Sequence, residues 1–307
     1  MSNLIAEGVN VSLKGRNILK NITMTVQPGE VVLVSGCNGC GKTTLIKTLA
    51  GLIRPKSGDI EICGMHYGEK GIYKHVGYAP WRFGVYDSVK VFEYLVYYAA
   101  AGRLTGLMAR KRIEHLLDVF EMTDRADDDV TELSAGMLQR LNIIRCILHN
   151  PEVLLFDEPL NCLDTAGRSL FSRCVKEDAQ RGKSIVISSH NLTQMENICT
   201  SVCFMKQGEI VFRNSLDHML RENAGKSMVK IVLADSGQLQ DAIRVLRPLD
   251  VVRTLSSRNN EILVNLKDSE GAFEDMLNIF LQHNIATLTF ARENRTLEDI
   301  FNDYFEV

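Results

Sequence analysis

Alternating apolar and polar residues in GVNVSL and NITMTV predict paired strands near the start of the chain. After the turn pair Pro28-Gly29 the pattern changes to the apolar run EVVLVS, which predicts a strand buried on both faces. A glycine-rich loop follows, then TTLIKTLAG, where Leu45, Ile46, Leu49 and Ala50 share one helix face ahead of a stop at Gly51. Residues from about 88 to 148 are mostly helical by period, ending with Met137, Leu141, Ile144 and Leu148 before Asn150-Pro151. Two more buried strands are predicted, Val153 to Phe156 and Ser184 to Ser188, and then a hairpin over Val202 to Phe212 around Gln207-Gly208.

The pattern then changes character. From about Ser227 it reads strand, helix, strand, strand, helix, strand, closed by a helix over Thr296 to Phe305, a split βαβ order. The polar, glycine-containing ENAGK marks a boundary near Asn223 to Lys226, so two domains are expected, 1–222 and 223–307.

Composition narrows the class. In 307 residues, 45% are hydrophobic and 24% charged, with a formal net charge of -3, which suggests neither disorder nor a nucleic-acid-binding surface. The opening MSNLIAEGVNVSLKG lacks a basic stretch followed by an apolar run, and nowhere do about eighteen apolar residues stand together, so membrane contact is expected to be peripheral. The 8 cysteines show no framework spacing and read as reduced cytosolic thiols.

Gly36-Cys37-Asn38-Gly39-Cys40-Gly41-Lys42-Thr43, followed by Thr44, matches the P-loop pattern between a buried strand and a helix. Glycines let backbone N–H groups wrap a phosphate closely, and the helix starting at Lys42 adds its positive end. Lys42 is expected to reach the β- and γ-phosphates of ATP and Thr43 to coordinate Mg²⁺. The run ending Phe156-Asp157-Glu158-Pro159 delivers two acids, Asp157 for the metal and Glu158 as the base that polarises water. Alone, such a strand end is commonly just solvated; the preceding P-loop changes that reading.

From Gly36 to His190 the chain resembles the nucleotide-binding domain of an ABC ATPase. Leu133-Ser134-Ala135-Gly136-Met137-Leu138-Gln139-Arg140 resembles that family's signature sequence, with Ser134 as the N-cap of the periodic helix. The resemblance implies an α/β P-loop NTPase core with an antiparallel β subdomain and a helical signature subdomain, plus the small C-terminal α+β domain. It implies that Ser134, Ala135, Gly136 and Met137 bind the γ-phosphate of ATP held by a second ATP-binding subunit, either a copy or a paralogue. Asp164, after Leu163, is similar to the loop that crosses the dimer interface, and His190 to the switch histidine at the γ-phosphate. The expected activity is ATP hydrolysis powering transport through a separately encoded membrane-spanning subunit, with the chain cytoplasmic and peripheral on the inner face of the cell membrane. Arg295-Thr296-Leu297-Glu298-Asp299-Ile300-Phe301 and the small domain before it resemble the C-terminal extension of bacterial drug, antibiotic and ion exporters.

Some positions depart from the family. After Gly77-Tyr78-Ala79-Pro80, where the family carries Gln or an acid, stands Trp81, whose indole is no ligand for a hard cation. The alternative is that Trp81 packs against the membrane partner or the helical region. The aromatic that stacks on adenine falls at Leu13, so base stacking is expected to be weak, and Ala135 replaces a common Gly. Cys37 and Cys40 have CxxC spacing; they are either small loop-filling residues or a redox pair whose Cys40 is activated by the helix N-terminus. A nucleotide-binding regulatory subunit with weak or no hydrolysis is the alternative function. Soluble ABC ATPases of translation or DNA maintenance carry two nucleotide-binding domains or long insertions. This chain has one P-loop about 115 residues before one acidic strand.

Overall fold

The structure, a computed structural model, describes residues 3–82, 84, 88–219, 228–266, 271–293 and 296–305. The chain divides into two compact units, Met1–Leu216 and Asp217–Val307. The boundary expected near Asn223 to Lys226 lies outside the described residues.

In the first unit, strands β3 (Val31–Gly36), β7 (Val153–Asp157) and β8 (Ser184–Ser188) are buried along their whole length. Their continuous apolar sequence makes them central in a six-stranded sheet, ordered β10 (Glu209–Ser215), β9 (Ser201–Lys206), β3, β8, β7, β6 (Val76–Ala79). All neighbours pair in parallel except the β9–β10 hairpin at one edge. The alternating strands β1 (Leu4–Leu13) and β2 (Arg16–Val26) join β4 (Ser57–Ile62) and β5 (Met65–His66) in a separate antiparallel sheet. One core runs through both sheets, with Ile22, Met24, Val32, Val34, Leu45 and Ile46 among its buried residues.

The helices follow the predicted periods. Helix α1 (Lys42–Leu49) leaves β3 through the glycine loop and ends at Gly51, whose φ of 75° accommodates the stop. Helices α2 (Val91–Ala101), α3 (Gly106–Val119) and α4 (Ala135–Ile147) occupy the stretch read as helical. Helix α5 (Thr165–Gln180) joins β7 to β8, and the short α6 (Leu192–Met195) follows β8. Register sets the site: Val34 and Asp157 both pair with Ser188, so β3, β7 and β8 end level with one another. In an open parallel sheet, those carboxyl ends are where ligands bind.

The second unit has the predicted element order. Strands β11 (Met228–Leu233), β12 (Val252–Arg258), β13 (Glu261–Leu266) and β14 (Thr287–Glu293) form an antiparallel sheet ordered β12-β13-β11-β14. Helices α7 (Leu239–Leu246) and α8 (Ala272–Gln282) supply Ala242, Leu246, Met276 and Phe280 to a core shared with Ile231, Ile262 and Val264. The closing helix α9 (Leu297–Phe305) starts at a reciprocal cap: Asp299 Oδ2 accepts from the Thr296 N–H at 2.8 Å, and the Asp299 N–H donates to Thr296 Oγ1 at 3.2 Å.

Candidate functional site

A cleft of about 600 Å³ lies at the level strand ends, lined by Ile18, Asn38, Gly39, Gly41, Lys42, Thr43, Thr44, Trp81, Glu158, Asn161 and His190. The loop from Gly36 to Gly41 has no room for larger residues at its tightest points. A Cβ on Gly36 would sit 2.2 Å from the Met205 carbonyl oxygen, and Gly41 holds φ at 113°. Lys42 is buried and its Nζ donates to the carbonyls of Gly36 at 2.6 Å and Cys37 at 3.3 Å, which fixes the ammonium along the loop.

The acids come from β7. Asp157 Oδ1 accepts from the Thr43 hydroxyl at 3.1 Å and the Ser188 hydroxyl at 2.6 Å, while its buried Oδ2 has no hydrogen-bond partner among the described residues. Glu158 takes φ of 50°, a strained value for a non-glycine residue. Its N–H donates to the Ser188 carbonyl and hydroxyl, both at 3.1 Å, and this turns the side chain toward His190, whose Nδ1 lies 2.8 Å from Glu158 Oε2. Phosphate loop, Asp157, Glu158 and His190 therefore meet in one place.

Helix α4 ties this centre to its surroundings. Ser134 caps the helix, accepting from the Met137 N–H at 3.3 Å, and Ser134 and Ala135 are exposed. Buried Gln139 donates to the Pro159 carbonyl at 3.0 Å, next to Glu158, and buried Asn142 donates to the Pro80 carbonyl at 2.8 Å, next to Trp81. Arg140 donates to Asp164 at 3.0 Å and to the Phe120 carbonyl at 3.1 Å. Asp164 also caps α5 through the Gly167 N–H at 2.8 Å; that bond first, and Arg140 second, hold its carboxyl below the usual carboxylate range.

Three further residues singled out from the sequence find their places in the structure. Leu13 does not line the cleft, whereas Ile18, on the neighbouring strand β2, does. Trp81 lines the cleft and is 50% exposed, with the Arg82 guanidinium 4.7 Å from its ring centre. Cys40 fits the loop-filling reading: its thiol is buried in the core, and desolvation outweighs the neighbouring Lys42 charge and backbone N–H, pushing its pKa up rather than down. Both Cys37 and Cys40 are free thiols. Ile18, Asn161 and Ser188 were not singled out from the sequence, since apolar, amide and hydroxyl side chains carry no signal of their own there.

A glycine loop feeding a helix N-terminus, with two acids at the end of another strand of the same sheet, defines a P-loop nucleotide hydrolase. The ABC transporter family profile matches residues 19–161. Over 299 residues the chain is 29% identical to YhcH, an uncharacterized ABC transporter ATP-binding protein of Bacillus subtilis (strain 168), with 95% of this chain and 94% of that one covered. It is 30% identical over 228 residues to the Nod factor export ATP-binding protein I of Burkholderia thailandensis, covering 74% and 75%. A solved structure described as the ATP binding subunit of an ABC transporter superposes with a TM-score of 0.68 at 28% identity, covering 72% of this chain and 93% of that one. The chain belongs to the ATP-binding subunits of ABC transporters and is an ATPase of that family.

Proposed function

We propose that this chain powers export through a separately encoded membrane-spanning subunit, pairing with a second ATP-binding subunit so that each ATP is held between two chains. The observation that carries this reading is the position of the signature segment: Ser134, Ala135, Gly136 and Met137 head a 13-residue helix, yet none of them lines the chain's own cleft. A capped helix N-terminus that does not line its own chain's cleft is available as an anion site for a neighbour. Asp164, exposed and linked to α4 through Arg140, stands beside that segment as the interface residue. Export is favoured by the second unit and by relatives whose names include Nod factor export and linearmycin resistance. We assign the C-terminal domain, from about residue 223 onward, an accessory role, because the phosphate and metal groups named here all precede it. No helix among the described residues is long and apolar enough to cross a membrane, in keeping with a peripheral place on the inner face.

Within the cleft the loop amides and Lys42 bind the phosphates, and the 2.8 Å contact between His190 and Glu158 orients the carboxylate that accepts a proton from the attacking water. The unpartnered Asp157 Oδ2 beside the Thr43 hydroxyl is the oxygen set a hard divalent cation needs, so these residues fit Mg²⁺. Bound there, Mg²⁺ would supply positive charge to the phosphate oxygens.

Glu158→Gln tests the hydrolysis and the pairing of two chains in this reading. It removes the base and keeps the phosphate contacts, so turnover should fall by about 10²–10⁴-fold while ATP and Mg²⁺ drive accumulation of a dimer on size exclusion. A monomer at every ATP concentration, with wild-type turnover, would overturn it.

A further inference from the structure

We propose that Cys63, His75 and Glu152 form a second metal site, for a thiophilic divalent cation of the zinc class, at the end of the parallel sheet opposite the nucleotide cleft. Strands β6 and β7 run parallel with Val76 paired to Val153, so the residues just before them, His75 and Glu152, stand side by side. Their side chains meet, with His75 Nδ1 2.9 Å from Glu152 Oε2. The third group comes from the other sheet. Cys63 and Gly64 form the two-residue turn between β4 and β5, with φ of 52° and 80°. Positive φ at both central positions is the pattern that favours Asn-Gly, and here the first place is held by a cysteine. Cys63 packs against the core that contains Ile72, Val76 and Val153, which brings its thiol over the His75–Glu152 pair. One ligand atom from each of the three residues lies within 4.8 Å of the others.

Thiolate, imidazole and carboxylate are the three zinc ligand types, and three protein ligands leave a fourth position for water. Bond lengths of about 2.0–2.3 Å in a tetrahedron put ligand atoms roughly 3.4–3.6 Å apart, so small side-chain rotations from the observed spacing close the site. A plain His–Glu ion pair half open to solvent explains two of the residues but contributes little to stability and has no use for the cysteine. Binding exchanges the thiol S–H bond for a metal–sulfur bond, the proton leaves to solvent, and nothing is oxidised or reduced. Sulfur selects against Mg²⁺, so the two sites sort their metals. The edge strand β5 of one sheet and the edge strand β6 of the other would then be clasped together within the first unit.

The test uses the full-length protein, stripped with chelator and titrated with Co²⁺, whose thiolate charge-transfer absorbance reports sulfur ligation. The expected result is saturation at one equivalent, displacement by Zn²⁺, loss of the band in Cys63→Ser, and affinity at least about tenfold weaker in His75→Gln and Glu152→Gln. Zn²⁺ should also raise the melting temperature of the wild type and not that of Cys63→Ser. Absence of the band in the wild type, or its survival in Cys63→Ser, overturns the proposal. If Cys63→Ser does not fold, the exposed Glu152→Gln carries the same decision, and unchanged Co²⁺ affinity in that variant also overturns it.

Discussion

The Thr43 hydroxyl donates to Asp157 Oδ1 across 3.1 Å and so joins the first turn of α1 to the end of β7. Ser188, on the neighbouring strand, donates to the same oxygen at 2.6 Å, which leaves Oδ2 turned away from every described donor. One carboxylate oxygen is structural and the other is available. Asp157→Asn separates the two roles, because an amide oxygen can keep both hydroxyl donors while the NH₂ group cannot ligate a cation. The variant should fold and bind ATP, and its turnover at saturating Mg²⁺ should fall by about a hundredfold or more. Wild-type turnover at ordinary Mg²⁺ would remove Asp157 from the metal role.

Trp81 makes a reporter, because it is the only tryptophan in the chain and lines the cleft while half exposed. Its indole offers one donor and no oxygen. Trp81→Gln should therefore lower the Mg²⁺ concentration needed for half-maximal hydrolysis. In the wild type, intrinsic fluorescence should shift on addition of Mg-ATP and shift less with ADP. Unaltered Mg²⁺ dependence together with an unmoved spectrum would leave packing as the role of this residue.

The phosphate loop, the two acids and His190 were legible because each sits within a few residues of a buried strand, and local pattern alone places a strand end. The second unit was legible for the same reason: its strands alternate and its helices keep a regular period. What stayed hidden depends on register between distant segments. Ser188 grips Asp157 only because the two residues are paired across β7 and β8. Gln139 and Asn142 look like polar interruptions in an apolar helix, and only the fold shows them donating to the carbonyls of Pro159 and Pro80. Which strand borders the cleft is hidden in the same way: Ile18 on β2 lines it, and Leu13 at the end of β1 does not.

Cys40 illustrates the same limit, and its chemistry can be read directly. A helix N-terminus argues for a reactive thiolate, yet the side chain points into the core beside Gly36, and burial raises its pKa. Cys37 and Cys162 are exposed. Brief alkylation of the native protein, followed by peptide mapping, should therefore mark Cys37 and Cys162 and spare Cys40, Cys146, Cys199 and Cys203. Rapid labelling of Cys40 in folded protein, or a Cys37–Cys40 disulfide formed by mild oxidant that blocks ATP binding, would restore the redox reading.

His149 gives the first unit a pH dependence whose sign follows from its surroundings. It lies between α4 and β7, packs on Gly102, and places Nε2 3.2 Å from the Val76 carbonyl. Burial pulls its pKa below the ordinary 6.5, and the Lys183 charge works the same way, while the Val76 carbonyl and Glu152 oppose both and lose. The unfolded chain therefore binds more protons than the folded one between the depressed value and 6.5, so stability rises with pH across that window. The contribution is fully present above 6.5 and is lost as pH falls through the folded value. His149→Gln keeps a donor for the Val76 carbonyl and cannot titrate. Its melting temperature should fall less than that of the wild type between about pH 8 and pH 5. Asp129 and Asp164, whose pKa values are also lowered, contribute equally to both proteins and cancel in the comparison. Parallel melting profiles for the two proteins over that range would show that the imidazole takes up its proton alike in the folded and unfolded states, and would remove His149 from the acid response.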